Sequence, residues 1–354
     1  MGVLVLFDVK PKEKVADLYG RKKELDSLST SLGNGERLII VYGLRRVGKT
    51  SLIRSFLGER EYPFVIIDIR EIYFVSGSVP MGMLYSTIVK EFLRFAESMG
   101  KEPDIKLDGG LRITDLLKEM NRWCKGNGLV LVIALDEAQY LRFSGRVRYD
   151  GVIAWALDNL PNIAFILTGS EVGMLRDFLN QDDEEAPLFG RFKNEIYVDR
   201  FTADSGTAFL KQGFEEAGSM VSGKDIDDAI SSLDGICAWL TYYGHFRTVE
   251  KMEHGKAVEQ VFREGSGLVM KEIEAAISRS RRRYVLILSA IVEGMSTWGI
   301  IKAYVSSKAG AVSDTVFSSL LQSLVKLGIV EKTSDGRYVV TDPVTAEAIR
   351  RLKK

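Results

Sequence analysis

GLRRVGKT, residues 43–50, fits the pattern G-x-x-x-x-G-K-[ST] in full. Gly43 and Gly48 are expected to take positive φ angles, which turns successive N–H groups inward around a phosphate. The cradle then runs through Gly43, Arg46, Val47, Gly48, Lys49, Thr50 and Ser51. Lys49 supplies a point charge that reaches β- and γ-phosphates, and the Thr50 hydroxyl is placed to hold Mg²⁺. A helix starting here points its positive end at the same anion. Arg45 and Arg46 are unusual occupants of the loop. They touch nucleotide or an acidic neighbour, or they point to solvent as most residues at x positions do.

The flanks supply the context that the motif requires. Upstream, RLIIVY at 37–42 is a short apolar run rich in β-branched residues, as in a buried parallel strand. Downstream, positions 52, 53, 56 and 57 form a helical apolar stripe that ends near Gly58. The alternation continues. Strands are predicted at 62–69, 128–135, 163–168 and 195–199, and helices at 81–99, 113–124, 149–160 and 171–180. Loops are predicted at 100–110 and, with an acidic sequence, at 181–187. Near-continuous apolar strands alternating with helices make an α/β fold, a parallel sheet covered on both faces.

Three domains are predicted: a nucleotide-binding core over 1–200, a helical lid over 201–280, and a C-terminal domain over 281–354. In the lid, Thr202 reads as an N-cap, and Phe209, Leu210, Phe214 and Ala217 mark one helix face. Further helices are predicted at 225–233, 239–252 and 255–280. The last domain has helical stripes at 283–293, 297–307 and 313–327. Two alternating runs then flank the turn Ser334-Asp335-Gly336. Three helices and a hairpin is the order of a winged helix-turn-helix.

Hydrolysis needs more than a phosphate loop. The apolar run over 129–135 ends in Asp136-Glu137. At the tip of a strand beside the loop strand, Asp136 can hold the Mg²⁺ shell and Glu137 can deprotonate the attacking water. The bland alternative is a helix N-terminus with favourable acids. Gln139 lies close enough in sequence to polarise the same water. Thr168 and Ser170 stand at the tip of a strand expected between the loop strand and the acidic strand. Either can contact the γ-phosphate or the water, or cap the following helix. Arg191 precedes the last strand and can neutralise charge on a transferring phosphoryl group, unless it is an ordinary surface arginine.

Net charge over the 354 residues is zero but uneven, with 13 Lys/Arg against 6 Asp/Glu from 279 to 354. In the third helix of the tail, Ser313, Thr315, Ser318, Ser319 and Gln322 can meet base edges or phosphates, although Lys326 is its one basic residue. Arg279, Arg281, Arg282, Arg283, Lys332 and Arg337 can contact phosphate, which would make binding salt-dependent. The module alternatively contacts protein or acts as a rigid lever. Two cysteines and two histidines carry no metal-ligand spacing. No apolar run reaches membrane-spanning length, and no signal peptide is read, so the expectation is a cytoplasmic protein.

Taken together these residues resemble the archaeal ATPase family of P-loop proteins, related to AAA+ and STAND ATPases. The resemblance rests on Leu6-Phe7-Asp8 with Pro11-Lys12, on YGRKKEL at 19–25, GLRRVGKT, LDEAQ at 135–139, TGSEVGML at 168–175 and PLFGR at 187–191. It implies an additional-strand P-loop core that uses ATP and Mg²⁺, with Tyr19, Gly20 and Arg21 near the adenine. It also implies a sensor role for residues 168–170. The family's lid motif GG-I-P-G-W-L aligns with DGICAWL at 234–240, where Cys237 and Ala238 replace Pro and Gly. That departure leaves the lid's contact with nucleotide open, and Trp239 reads as core. The expected function is an ATP-hydrolysing switch acting on DNA or a protein partner; the alternative is a nucleotide-binding regulator or scaffold with little turnover.

Overall fold

A computed structural model of the chain describes residues 6–59, 62–101, 103, 112–180, 183–277 and 280–352. Most of the predicted loop at 100–110, residues 181 and 182 of the acidic loop, and Arg279 lie outside the described residues. The chain forms two compact units. One comprises residues 11–43 and 49–198; the other comprises residues 1–10, 44–48 and 199–354. Each is described by itself.

The first unit contains α1 (Lys22–Gly33), β1 (Leu38–Tyr42), α2 (Lys49–Gly58), β2 (Phe64–Asp68), α3 (Ile69–Ser76), α4 (Met81–Ser98) and α5 (Ile113–Gly126). It continues with β3 (Leu131–Asp136), α6 (Tyr149–Asn159), β4 (Ile163–Gly169), α7 (Val172–Leu179) and β5 (Asn194–Tyr197). The strands form one parallel sheet in the order β2-β3-β4-β1-β5. The three inner strands are buried at every position, which is why they read as unbroken apolar runs. The edge strand β2 alternates buried and half-buried residues. Because β4 lies between β3 and β1, the acidic strand is one strand removed from the loop strand rather than beside it, as the additional-strand reading implies. Thr168 and Ser170 do fall at the intervening tip. Helix α3 was not predicted. Asp68 caps it by accepting from the N–H groups of Arg70 and Glu71, and Gly77 ends it at φ 69°.

The second unit contains α8 (Ala203–Glu216), α9 (Gly223–Leu233), α10 (Cys237–Thr248) and α11 (His254–Ile277). These are followed by α12 (Arg281–Val292), α13 (Trp298–Ala309), α14 (Asp314–Lys326), β6 (Val330–Lys332), β7 (Tyr338–Val340) and α15 (Pro343–Leu352). Thr202 caps α8 as expected, accepting from Ser205 N at 3.2 Å. The Phe7 ring fits against Gly213 and Gly244, where a Cβ would come within 2.3 and 2.2 Å of it. That close approach ties the N-terminal segment to α8 and α10. Helices α12–α14 and the β6–β7 hairpin form the winged helix. Tyr338 N donates to Ser296 O at 2.7 Å, which adds a third segment to the hairpin. Helix α15 was also missed: Asp342 caps it, Pro343 opens it, and it packs back along α11 and α12. Among the described residues no helix is long and apolar enough to cross a membrane.

Candidate phosphate-binding and hydrolytic site

The chain leaves β1 at Tyr42, forms the loop, and enters α2 at Lys49. Gly48 takes φ 101°, as expected, but Gly43 is close to extended at 157°. The second left-handed residue is Arg46, at φ 69°. A non-glycine residue held there costs roughly 1 kcal/mol, so the surrounding contacts must impose it. Lys49 is buried, and its amine donates to Gly43 O at 2.9 Å, which fixes the charge over the loop. Val47 is fully buried. The Ser51 hydroxyl accepts from Lys12 N at 3.1 Å and so fastens the segment before α1 to α2.

The tips of β3 and β4 bring the acids and hydroxyls together. Thr50 Oγ1 donates to Asp136 Oδ2 at 2.7 Å, and Thr168 Oγ1 donates to Asp136 Oδ1. Thr168 also accepts from Glu137 N at 3.2 Å, locking the two strand tips. Glu137 is left-handed at φ 54°, which swings its side chain out of the strand's alternation. Its Oε2 accepts from Ser170 Oγ at 2.6 Å and from Gln139 Nε2. Ser170 is therefore bound to the acid rather than capping α7, and α7 has no side-chain cap. Gly169 between them has no room for a side chain. A Cβ there would stand 2.7 Å from Leu175 Cδ2 and 2.8 Å from Gln139 Oε1.

Asp136 and Glu137 are both more than nine-tenths buried. Burial, and then the neighbouring Glu137 charge, push the Asp136 carboxyl above its ordinary range; bonds from Thr168 and Thr50 oppose this. Two adjacent buried carboxylates call for a cation. Thr50 and Asp136 supply the hard oxygen atoms that suit Mg²⁺, and among the described residues no three-residue His/Cys/Asp/Glu cluster competes for it. The residues present thus fit the ion that the motif implies.

Other predicted residues are placed elsewhere. Gly20 and Arg21 line a cavity of about 460 Å³ with Leu18, Leu25, Phe56 and Glu59. Phe56 lies seven residues beyond Lys49, roughly 10 Å along α2 at the helical rise. Arg21 is buried and pairs with Glu24 at 3.2 Å. Arg191 is not brought to this site within the same chain. It precedes β5, whose Asn194 pairs with Ile39 near the start of β1, so it lies by the N-terminal ends of the strands. Arg37 and Gly43 are six positions apart, about 20 Å of extended chain. There Arg191 forks onto Asp158 and donates to Pro187 O at 2.8 Å.

Arg46 turns its side chain onto an acidic neighbour, one of the readings open from the sequence. Its guanidinium grips Glu272 on α11 at 2.8 and 3.2 Å, and Arg45 reaches the same carboxylate at 3.1 Å. Sequence reasoning missed Glu272, and nothing local marks it, since it lies 226 residues from Arg46.

A parallel sheet with β4 inserted between the loop strand and the acidic strand, a phosphate loop, and a Thr–Asp–Glu set at the strand tips define an additional-strand P-loop ATPase. The sequence profile for an ATPase domain predominantly from Archaea matches residues 18–242, and the chain belongs to that family. The profile for the C-terminal winged helix-turn-helix domain of MCM proteins matches residues 278–341. Among solved structures, the Walker-type ATPase PABY2304 of Pyrococcus abyssi superposes with a TM-score of 0.88 at 36% identity, over 98% of this chain and 99% of that one. The ORC2 protein of Aeropyrum pernix, in ADPNP–ADP complexes, matches at 0.64 with 16% identity over 98% of this chain and 96% of that one, a likeness of fold. No curated protein matches the sequence.

Proposed function

We propose that the protein is an ATP-binding and ATP-hydrolysing switch whose nucleotide state controls a winged-helix module that contacts DNA or a protein partner. The observation that carries the reading is the buried tip of β3, where Thr50 and Thr168 hold Asp136 while Ser170 and Gln139 hold Glu137. Loop N–H groups and the Lys49 amine hold the phosphates. Thr50 and Asp136 would hold Mg²⁺, which when bound offsets charge on the β- and γ-phosphate oxygens. Glu137 orients the attacking water and accepts its proton; Ser170 and Gln139 set the direction of that carboxylate. The cavity beside Gly20 and Arg21 is of a size that takes a base, in support of Tyr19–Gly20–Arg21 as the adenine-side segment. An Arg191 role at the phosphate would require the arginine of a neighbouring copy.

On the tail, Ser313, Thr315, Ser319 and Gln322 of the third winged-helix segment are exposed, as are Lys332 and Arg337 on the wing and Arg281 and Arg282 before it. This supports contact with a phosphate backbone, with α14 toward a groove. A second reading, a regulator that holds nucleotide with little turnover, is favoured by one observation: Glu137 Oε2 is already occupied by three donors, Gln139 Nε2 and the hydroxyl and N–H of Ser170.

ATP turnover with and without duplex DNA over a salt series separates the readings. Lys49→Ala should lose nucleotide binding. Glu137→Gln should lose turnover by about a thousandfold and retain ATP. Normal turnover in Glu137→Gln would sink the base assignment; tight nucleotide with negligible wild-type turnover would favour the second reading.

A further inference from the structure

We propose that Arg46 couples the phosphate loop to α15, the last helix of the C-terminal domain, through Trp239 and Asp342, with Glu272 holding Arg46 in position. The contacts run in series within one unit. Arg46 O accepts from Ala238 N at 3.1 Å, joining the loop's backbone to the start of α10. The Arg46 guanidinium lies 4.9 Å from the Trp239 ring centroid and is clamped by both oxygens of Glu272. The planar fork satisfies the carboxylate edge-on while its face covers the indole.

Trp239 is fully buried, and its indole N–H donates to Asp342 Oδ1 at 3.2 Å. That same oxygen accepts from Val344 N and Thr345 N at 3.0 Å each, and so caps α15. One oxygen thus joins the lid tryptophan to the last helix of the C-terminal domain. The packing around it has no slack. At Gly265 of α11, a Cβ would stand 2.8 Å from Val344 Cγ1 and 2.9 Å from Trp239 Cζ3. A shift of the indole is therefore passed on to α15 rather than absorbed in a void.

The other end is equally constrained. Arg46 sits at φ 69° inside the loop, a conformation that its backbone and guanidinium contacts jointly impose. A ligand that changes the loop changes the hold on Trp239, and by reciprocity the state of α15 changes affinity at the loop. Glu272 thus meets both loop guanidiniums with one carboxylate. Arg46, Trp239 and Glu272 are positioning residues in this scheme. The regulatory consequence rests on the nucleotide-binding reading above; the relay itself does not.

The test is hydrogen exchange at the Val344 and Thr345 amides, first without nucleotide. Arg46→Gln and Trp239→Phe should each speed their exchange about fivefold, leaving the β4 amide of Phe165 unchanged as a control for folding. Arg46→Lys, the conservative variant, should give a smaller increase and guards against a fold defect in Arg46→Gln. Exchange in Arg46→Gln within twofold of wild type would overturn the relay. In the second arm, ADP added to wild type should alter exchange at both amides, and Trp239→Phe should abolish that response. ADP that binds without altering exchange would overturn the coupling. If wild type binds no ADP, the functional reading fails, and the nucleotide-free arm still decides the relay.

Discussion

At the C-terminal tips of β3 and β4, Asp136 is buried, held by two hydroxyls, and pushed above the ordinary carboxylate range by burial. At the opposite end of the same sheet, Asp158 is half exposed, forked by Arg191, and held below its ordinary range by that arginine's hydrogen bond. The two ends use the same residue type in opposite ways. At one end the acid faces hydroxyls and a second acid, a set that attracts a cation and is expensive without one. At the other end the charge is already neutralised by a neighbour. An open demand for charge marks the end of the sheet where a ligand fits; a closed ion pair marks the end that serves the fold.

The largest expected effect falls on the open end. Asp136→Asn keeps the shape of the side chain and its place beside Thr50 and Thr168 but removes the buried charge. Turnover should fall by about a hundredfold or more, with loss of the Mg²⁺ dependence of nucleotide binding. The nucleotide-free protein should become more stable, by about 1 kcal/mol, since a buried charge is relieved. Loss of stability in denaturant titrations would break the contrast between the two ends. Ser170→Ala comes next. It removes the hydroxyl, one of the three donors that aim Glu137, so kcat should fall about ten- to a hundredfold with little change in KM. A change confined to KM would reassign Ser170 to binding. Gly169→Ala is a packing test of the same tip. The added methyl must displace Leu175 or Gln139, costing about 1–3 kcal/mol in chemical unfolding. A neutral result would mean that the strand tip is looser than its contacts indicate.

Much of the open end was legible in the sequence because its parts are local. The apolar runs that became β1, β3 and β4 are buried at every position, so no alternation confuses them. GLRRVGKT, Asp136-Glu137 and residues 168–170 each sit at the C-terminal end of such a run. The missed helices, α3 and α15, span 8 and 10 residues, too short for a strong period. Their caps, Asp68 with Gly77 and Asp342 with Pro343, were nonetheless readable. The location of Arg191 follows from strand direction, which a motif does not encode. Because β5 runs parallel to β1, a residue before β5 falls at the end away from the loop. The clamp on Arg46 is long-range, from Glu272 and Trp239, and no spacing rule reaches it. The left-handed Arg46, where a glycine was expected to carry the turn, is the local trace of that distant grip.

Arg191→Ala gives the smallest expected effect and tests the closed end most directly. The pair it breaks is partly exposed and solvent-screened, so stability at neutral pH should fall only slightly. The pH dependence has a defined sign. Asp158's carboxyl is lowered in the folded chain, so the pair's contribution is present above the ordinary carboxylate value, near pH 4, and is lost as pH falls below it. Wild type and Arg191→Ala should therefore converge in stability on acidification and separate above that value. Turnover should change less than twofold in dilute protein, because Arg191 lies about 20 Å of strand away from the loop of its own chain. The informative variable is protein concentration. If turnover per chain rises with concentration in wild type and not in Arg191→Ala, the closed end of one copy serves the open end of another. The contrast between the two ends would then hold for a single chain but not for the assembly.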